Sequence, residues 1–203
     1  MTMTDLSALP VPNGLTNHLR ATSRSEAVIR HSVRIDPEWW RNVLRDQGFG
    51  AAAVLPDGHD AEGSPTLSRG GLFELVRETR LHLDDESVLR VLWHVLAWGA
   101  GTGARNNRRR VAAIAETRVG AVEALVMAMN LSRTDPAAAY SCLRPGRKNV
   151  VGWLGPAFFT KILYFAGEGD PYTSRSSWMI GWRVRCATAV GGTAFGRVVD
   201  GPL

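Results

Sequence analysis

Several things are scarce in this chain. Cysteine occurs twice in 203 residues, as Cys142 and Cys186, and the two have no ligand-like spacing. That excludes a disulfide framework or a zinc site as the organising element and makes a reducing compartment the default setting. No apolar run approaches the roughly 20 residues that span a bilayer. The N-terminus lacks the basic-then-apolar pattern of a secretory signal. The sequence thus reads as a soluble cytoplasmic protein, and nothing in it calls for a metal ion or a cofactor. Before residue 170 no stretch alternates apolar and polar residues with a period of two, so strands are not expected there.

What is present fits one helical domain. The 45% hydrophobic content and the length suffice for one sizeable core. The formal net charge is +5 and the pI about 9.9, with arginine supplying nearly all the positive charge, which favours a polyanionic partner. Residues 1–26 are rich in Thr, Ser, Pro and Asn and read as a flexible arm. Residues 27–170 read as the helical domain. A helix is expected after Pro37, with Trp39 and Trp40 near its start. "LPDGHDAEGSPTLSRGG" strings turn-formers together and reads as a loop.

Helices then follow closely. In "DDESVLRVLWHVLAWG" Asp84 and Asp85 are candidate caps, Val88, Leu92, Val95 and Leu96 fall at core spacing, and Gly99 is the expected stop. His94, inside this apolar run, reads as a satisfied core or edge residue. "VGAVEALVMAMN" is a helix ending near Asn130. Asp135 and Pro136 open another. "RPGRKNVVGWLGPAFFTKILYFAG" reads as a short helix, a Leu-Gly-Pro turn and a final helix with Pro156 in its first turn.

Two places offer backbone and charge to a polyanion. In "ARNNRRR", Arg105, Asn106, Asn107, Arg108 and Arg109 follow a glycine turn at a helix start, where free N–H groups and guanidiniums can meet phosphate. Adjacent arginines fan out around a helix, so one or two at most face one ligand. The second place is the turn Val151–Pro156, with Gly152 and Gly155 in the turn and Arg147 and Lys148 just upstream. Helix–hairpin–helix modules use such a turn to lay backbone amides on a DNA phosphate.

Lys161 lies shortly after that turn, inside "GPAFFTKILYFAG". Its neighbours three and four positions away are Phe158, Ala157, Tyr164 and Phe165, and none carries a charge. Most such lysines lie along an apolar face and lift the ammonium into water. The alternative is chemical: desolvation lowers a lysine's pKa, and a neutral amine beside a pocket is a nucleophile able to form a Schiff base.

On "LWHVLAWGAGTGARNNRRR" and above all "WLGPAFFTKILYFAG", the chain resembles the helix–hairpin–helix DNA glycosylases, in particular the 8-oxoguanine glycosylase (OGG-fold) branch, over roughly residues 35–170. The resemblance implies an all-α fold with the hairpin over about residues 147–167. It also implies a monomer that excises oxidised guanine from double-stranded DNA, with Lys161 as nucleophile and lyase residue. The hairpin diverges, because "LGPAFFTK" lacks the second glycine of the commoner "GVGxK" form. A non-catalytic helix–hairpin–helix DNA-binding protein is the alternative.

The resemblance also implies an assisting aspartate downstream, in a pattern like "LILDxRVA", and none stands there. Ser174 is nearest the place, and Asp170 is not assigned the role. From Tyr172 to Pro202 there is no Leu, Lys or Glu, and the segment 171–203 has the composition of a GC-rich gene read out of frame. Reading each codon's last base with the next codon's first two turns Trp178–Met179–Ile180 into Asp-Asp whatever codons are used. With permitted codons the stretch continues as Val-Leu-Asp-Asp-Arg-Val-Ala-Arg-Ala-Leu, a leucine-bearing helix behind an aspartate. A frameshift between about residues 170 and 176 accounts for both features, and a genuine tail is the competing reading.

Overall fold

The computed structural model describes residues 12–50, 53–103 and 106–168. Arg105 and the whole segment 171–203, with Asp170 before it, lie outside the described residues.

The fold is mostly helical, as the sequence leads one to expect. Helix α1 (Asn13–Ala21) falls within the stretch read as an arm and buries none of its residues. A one-turn π-helix at Ser25–Ile29 leads into strand β1 (Ser32–Arg34). In α2 (Pro37–Asp46) the Asp36 carboxylate accepts from the Trp39 amide at 2.9 Å and Pro37 fills the first helical position, so Trp40, Val43 and Leu44 turn inward.

The loop expected over residues 55–71 is corrected by the structure. Strands β2 (Gly58–His59) and β3 (Pro65–Ser68) form there, and with β1 they make a small antiparallel sheet in the order β1-β3-β2. Strands of two to four residues are too short to show a period of two. Val33 pairs with Leu67, and Gly58 with Thr66. Asp57 then locks the sheet to the next helix: its carboxylate accepts from the Ser68 amide, and the Ser68 hydroxyl caps α3 (Arg69–Leu81) by accepting from the Gly71 amide at 2.9 Å.

Helix α4 (Asp85–Ala100) is the central strut. Asp84 and Ser87 cap it reciprocally, and every residue from Val88 to Ala97 except Arg90 is buried. A helix apolar nearly all round belongs in the middle of a fold, and α4 packs against β1, β3, α3, α6 (Arg118–Leu131) and α8 (Pro156–Ala166). Helix α5 (Asn107–Glu116) connects α4 to α6. Helix α7 (Pro136–Leu143) starts where Asp135 accepts from the Ala138 amide, and it packs along α6 and α8. His94 is buried and satisfied: Nε2 accepts from the Leu55 amide at 3.1 Å, so Nδ1 is the donor to the Arg90 carbonyl at 2.7 Å.

Two further expectations change. Gly99 does not end α4, which runs on to Ala100 and stops at Gly101, where φ is +61°. The short helix expected before the Leu-Gly-Pro turn is present only as one turn of 3-10 helix, Pro145–Arg147. It follows α7, and residues 148–155 are irregular up to α8.

Candidate active site

Lys161 sits on the face of α8 that turns toward the C-terminal end of α4. Helices meet this closely only where one of them lacks a side chain, and here that residue is Gly99. A β-carbon there would lie 3.3 Å from Cδ and 3.3 Å from Nζ of Lys161, and 3.3 Å from Cε1 of Phe158. The glycine is thus a floor for the amine, a role that the helix-stop reading missed.

One turn before the lysine, the ring of Phe158 carries two cations. Nζ of Lys161 is 4.6 Å from its centroid, and the guanidinium carbon of Arg110 is 3.7 Å from it. Arg110 comes from α5. Its Nε donates to the Trp153 carbonyl at 3.1 Å, and a terminal nitrogen donates to Asn107 Oδ1 at 2.6 Å. Burial is the main cause that pushes the lysine pKa below its ordinary value, and the positive charge of Arg110 pushes it the same way. Among the described residues Lys161 makes no ion pair.

The turn before α8 is closed by the Leu154 amide, which donates to the Val151 carbonyl at 3.3 Å. Its left-handed residue is Trp153, with φ +62°, a conformation a turn usually gives to glycine or asparagine. Gly152 and Gly155 have no such φ. Gly152 is exposed, and a β-carbon on it would lie 3.5 Å from the Ala113 side chain of α5, while Gly155 is the residue before Pro156 that opens α8. Trp153 is 55% exposed and carries the Arg109 guanidinium 4.7 Å from its ring centroid.

The structure therefore makes one surface of the two places the sequence kept apart. The start of α5 and the turn 151–154 touch through Arg109 and Arg110. Arg109 lies exposed on this surface; Arg147 and Lys148, also exposed, lie in the segment leading into the turn. Arg108 is exposed as well and lies 3.8 Å from Asp46 of α2, a solvent-screened pair. Asn106 begins α5 in the left-handed region, and its side chain accepts no capping bond. Asn107 is not a surface residue, since it is buried against Arg110, and its Nδ2 has no hydrogen-bond partner among the described residues.

Arg110 is the charged neighbour of Lys161 that sequence reasoning passed over. A signal was available: Asn107, Arg110, Val111 and Ile114 fall on one face at i, i+3, i+4 and i+7, and all four are buried. A surface cleft of about 160 Å³ lies elsewhere. It is lined by Phe49, Glu86, Leu89, Trp93 and Arg118 around the first half of α4, away from the Gly99 end that faces Lys161. Among the described residues no cluster of His, Cys, Asp or Glu is arranged to hold a metal ion, and no helix is long and apolar enough to cross a membrane.

The fold is thus a helical body built around α4, with a partly buried lysine on the helix that follows the turn. Residues 26–189 match the family described as "Putative 8-oxoguanine DNA glycosylase OGG-like protein", and the chain belongs to that family. The match leaves out α1, takes in the described residues from Glu26 onward, and continues to residue 189. No curated protein and no solved structure matches the chain.

Proposed function

We propose that this protein is a DNA glycosylase with lyase activity toward oxidised guanine, and that Lys161 is its nucleophile. The observation that carries the reading is the setting of Lys161: an amine against Gly99 and Phe158, with burial and Arg110 both disfavouring its protonated form. A base inside a duplex is out of reach, so the nucleotide must first be extruded. Arg109, Trp153, Lys148 and the backbone around Gly152 and Gly155 would hold the phosphates beside it, together with Asn106 and Arg108 at the α5 start and Arg105 before it, while the buried Asn107 only fixes Arg110.

The chemistry then balances as follows. The lone pair of Nζ forms a bond to the sugar C1′ while the C1′–N9 bond breaks, and its electrons leave with the base, which takes up a proton. The amine loses a proton, its lone pair then forms the C1′=N bond as the C1′–O4′ bond breaks, and O4′ takes up a proton, which leaves an open-chain Schiff base. Loss of a C2′ proton expels the 3′ phosphate by β-elimination, and water hydrolyses the imine to free Lys161.

A second reading is a DNA-binding protein that no longer excises bases. The observation in its favour is that no carboxylate among the described residues pairs with Lys161 to stabilise the charge developing on the sugar. We infer that the assisting aspartate was lost by a shift of frame near residues 170–176, which leaves imine chemistry possible and base excision impaired. The test compares this chain, its Lys161→Gln variant and a chain whose reading frame has been restored after residue 170, on duplexes bearing 8-oxoguanine. Excision in the restored chain and none in Lys161→Gln supports the glycosylase reading. Equal DNA binding with no excision in any of the three supports the second.

A further inference from the structure

Phe158 holds two cations on one ring, and they are not equivalent. Each is attracted to the ring, and each repels the other across a partly desolvated gap. The repulsion is relieved if one of them gives up its proton. A guanidinium does not do so in proteins, whereas an amine does so readily. The arginine therefore stays charged, and the lysine is the partner whose proton is held less tightly. Arg110 is also fixed in place: its Nε is bound to the carbonyl of Trp153, the left-handed residue of the turn, and another nitrogen to the buried Asn107.

We propose that Arg110 is a positioning residue for Lys161, which ties the turn before α8 to α5 and presses a fixed charge against the lysine amine across the ring of Phe158. The proposal deepens the glycosylase reading and rests on it for its consequence, since only a nucleophilic Lys161 profits from a charged neighbour. The other titratable groups around α8 are accounted for. Arg80 of α3 donates to the Met129 and Ala166 carbonyls, Glu168 pairs with Arg133, and Tyr140 of α7 stacks on Phe159. His94 of α4 is bonded to Leu55 and Arg90, and Tyr164 stacks on Phe73. Cys142 of α7 is a free thiol that burial holds above its usual pKa. The charge that acts on Lys161 is that of Arg110.

The chain contains only two lysines, Lys148 and Lys161, which makes the test direct. After reductive ¹³C-dimethylation, each lysine gives one methyl resonance whose pH titration is read by NMR, with the exposed Lys148 as internal reference. In the unsubstituted protein Lys161 titrates at lower pH than Lys148. In Arg110→Met its midpoint moves up toward that of Lys148, and in Arg110→Lys it returns toward the starting value, with the added amine identified by its absence from the parent spectrum. If Arg110→Met fails to fold, Arg110→Gln is measured instead, because its amide still offers a donor to the Trp153 carbonyl.

An unmoved Lys161 midpoint on removing the arginine overturns the proposal. So does an equal rise in Arg110→Met and Arg110→Lys, which assigns the effect to water entry and not to charge. Borohydride trapping on abasic-site DNA is run in parallel. No adduct at Lys161 in the parent protein removes the glycosylase reading while leaving the titration result standing. A normal adduct with an unmoved midpoint removes this inference alone.

Discussion

Gly99 and Lys161 face each other across the α4–α8 contact so closely that a β-carbon on the glycine would lie 3.3 Å from the lysine nitrogen. Two of the three crowded atoms are the far end of the flexible lysine and the third is the edge of the Phe158 ring, so a substitution at Gly99 is expected to move the amine and press on that ring. Gly99→Ala gains about 1 kcal/mol of intrinsic helix propensity against that crowding and leaves stability nearly unchanged. Gly99→Leu displaces the amine outright. Schiff-base formation with abasic-site DNA is expected to fall by a factor of about 100 in Gly99→Leu, the scale of a misplacement of about 1 Å. Trapping rate and thermal unfolding measured on the same preparations separate the two effects.

The lowered pKa of Lys161 also sets a sign for stability. An unfolded chain holds the lysine proton up to about pH 10.4, whereas the folded chain gives it up earlier. Between the two values the unfolded state binds more protons, so stability rises with pH through that window. At neutral pH the partly buried ammonium opposes folding, and Lys161→Met is expected to unfold at a higher temperature than the parent. The difference should shrink toward alkaline pH. A difference independent of pH would show that the lysine lies out in water.

His94 acts at the other end of the pH range. Burial is the main cause that holds its pKa below the ordinary value, so it folds as the neutral ring that accepts the Leu55 amide. Its contribution is complete above about pH 6.5, the unfolded value, and is lost as the pH falls through the lower folded value. Hydrogen exchange at the Leu55 amide is expected to accelerate in that acid range before exchange in α4 does. Simultaneous acceleration in both places would contradict a local origin.

The surface formed by α5 and the turn should register as salt dependence. Arg109 is exposed against Trp153. Each phosphate deprived of its cation makes the fall of log affinity with log salt shallower by about 0.9. Arg109→Ala and Lys148→Ala are each expected to flatten the slope by about that amount, with little change in unfolding temperature. Trp153→Ala is expected to weaken binding while the slope stays, because it removes stacking and not charge.

Much of the fold was legible because its signals are local. The caps at Asp84 and Asp135, and the prolines at 37, 136 and 156, lie next to the helices they start. The sheet was not legible: its strands are too short for a period, and Pro65 and Gly58 read as turn-formers before they read as partners of β2 and β3. At the site, Lys161 stood out because no residue near it in sequence carries charge. What surrounds it was invisible in one dimension. Gly99 reads as a helix stop until α8 is laid against it. Arg110 reads as one more surface arginine until the buried stripe of Val111 and Ile114 turns it inward.

The most direct test of Lys161 as nucleophile uses abasic-site duplex DNA, whose free aldehyde forms an imine without base excision and so needs no assisting aspartate. The protein is incubated with that duplex, reduced with borohydride and digested, and the DNA-bearing peptide is sequenced. The expected result is a covalent adduct on Lys161, absent in Lys161→Gln. An adduct on Lys148 or the amino terminus, or one that persists undiminished in Lys161→Gln, would contradict the account.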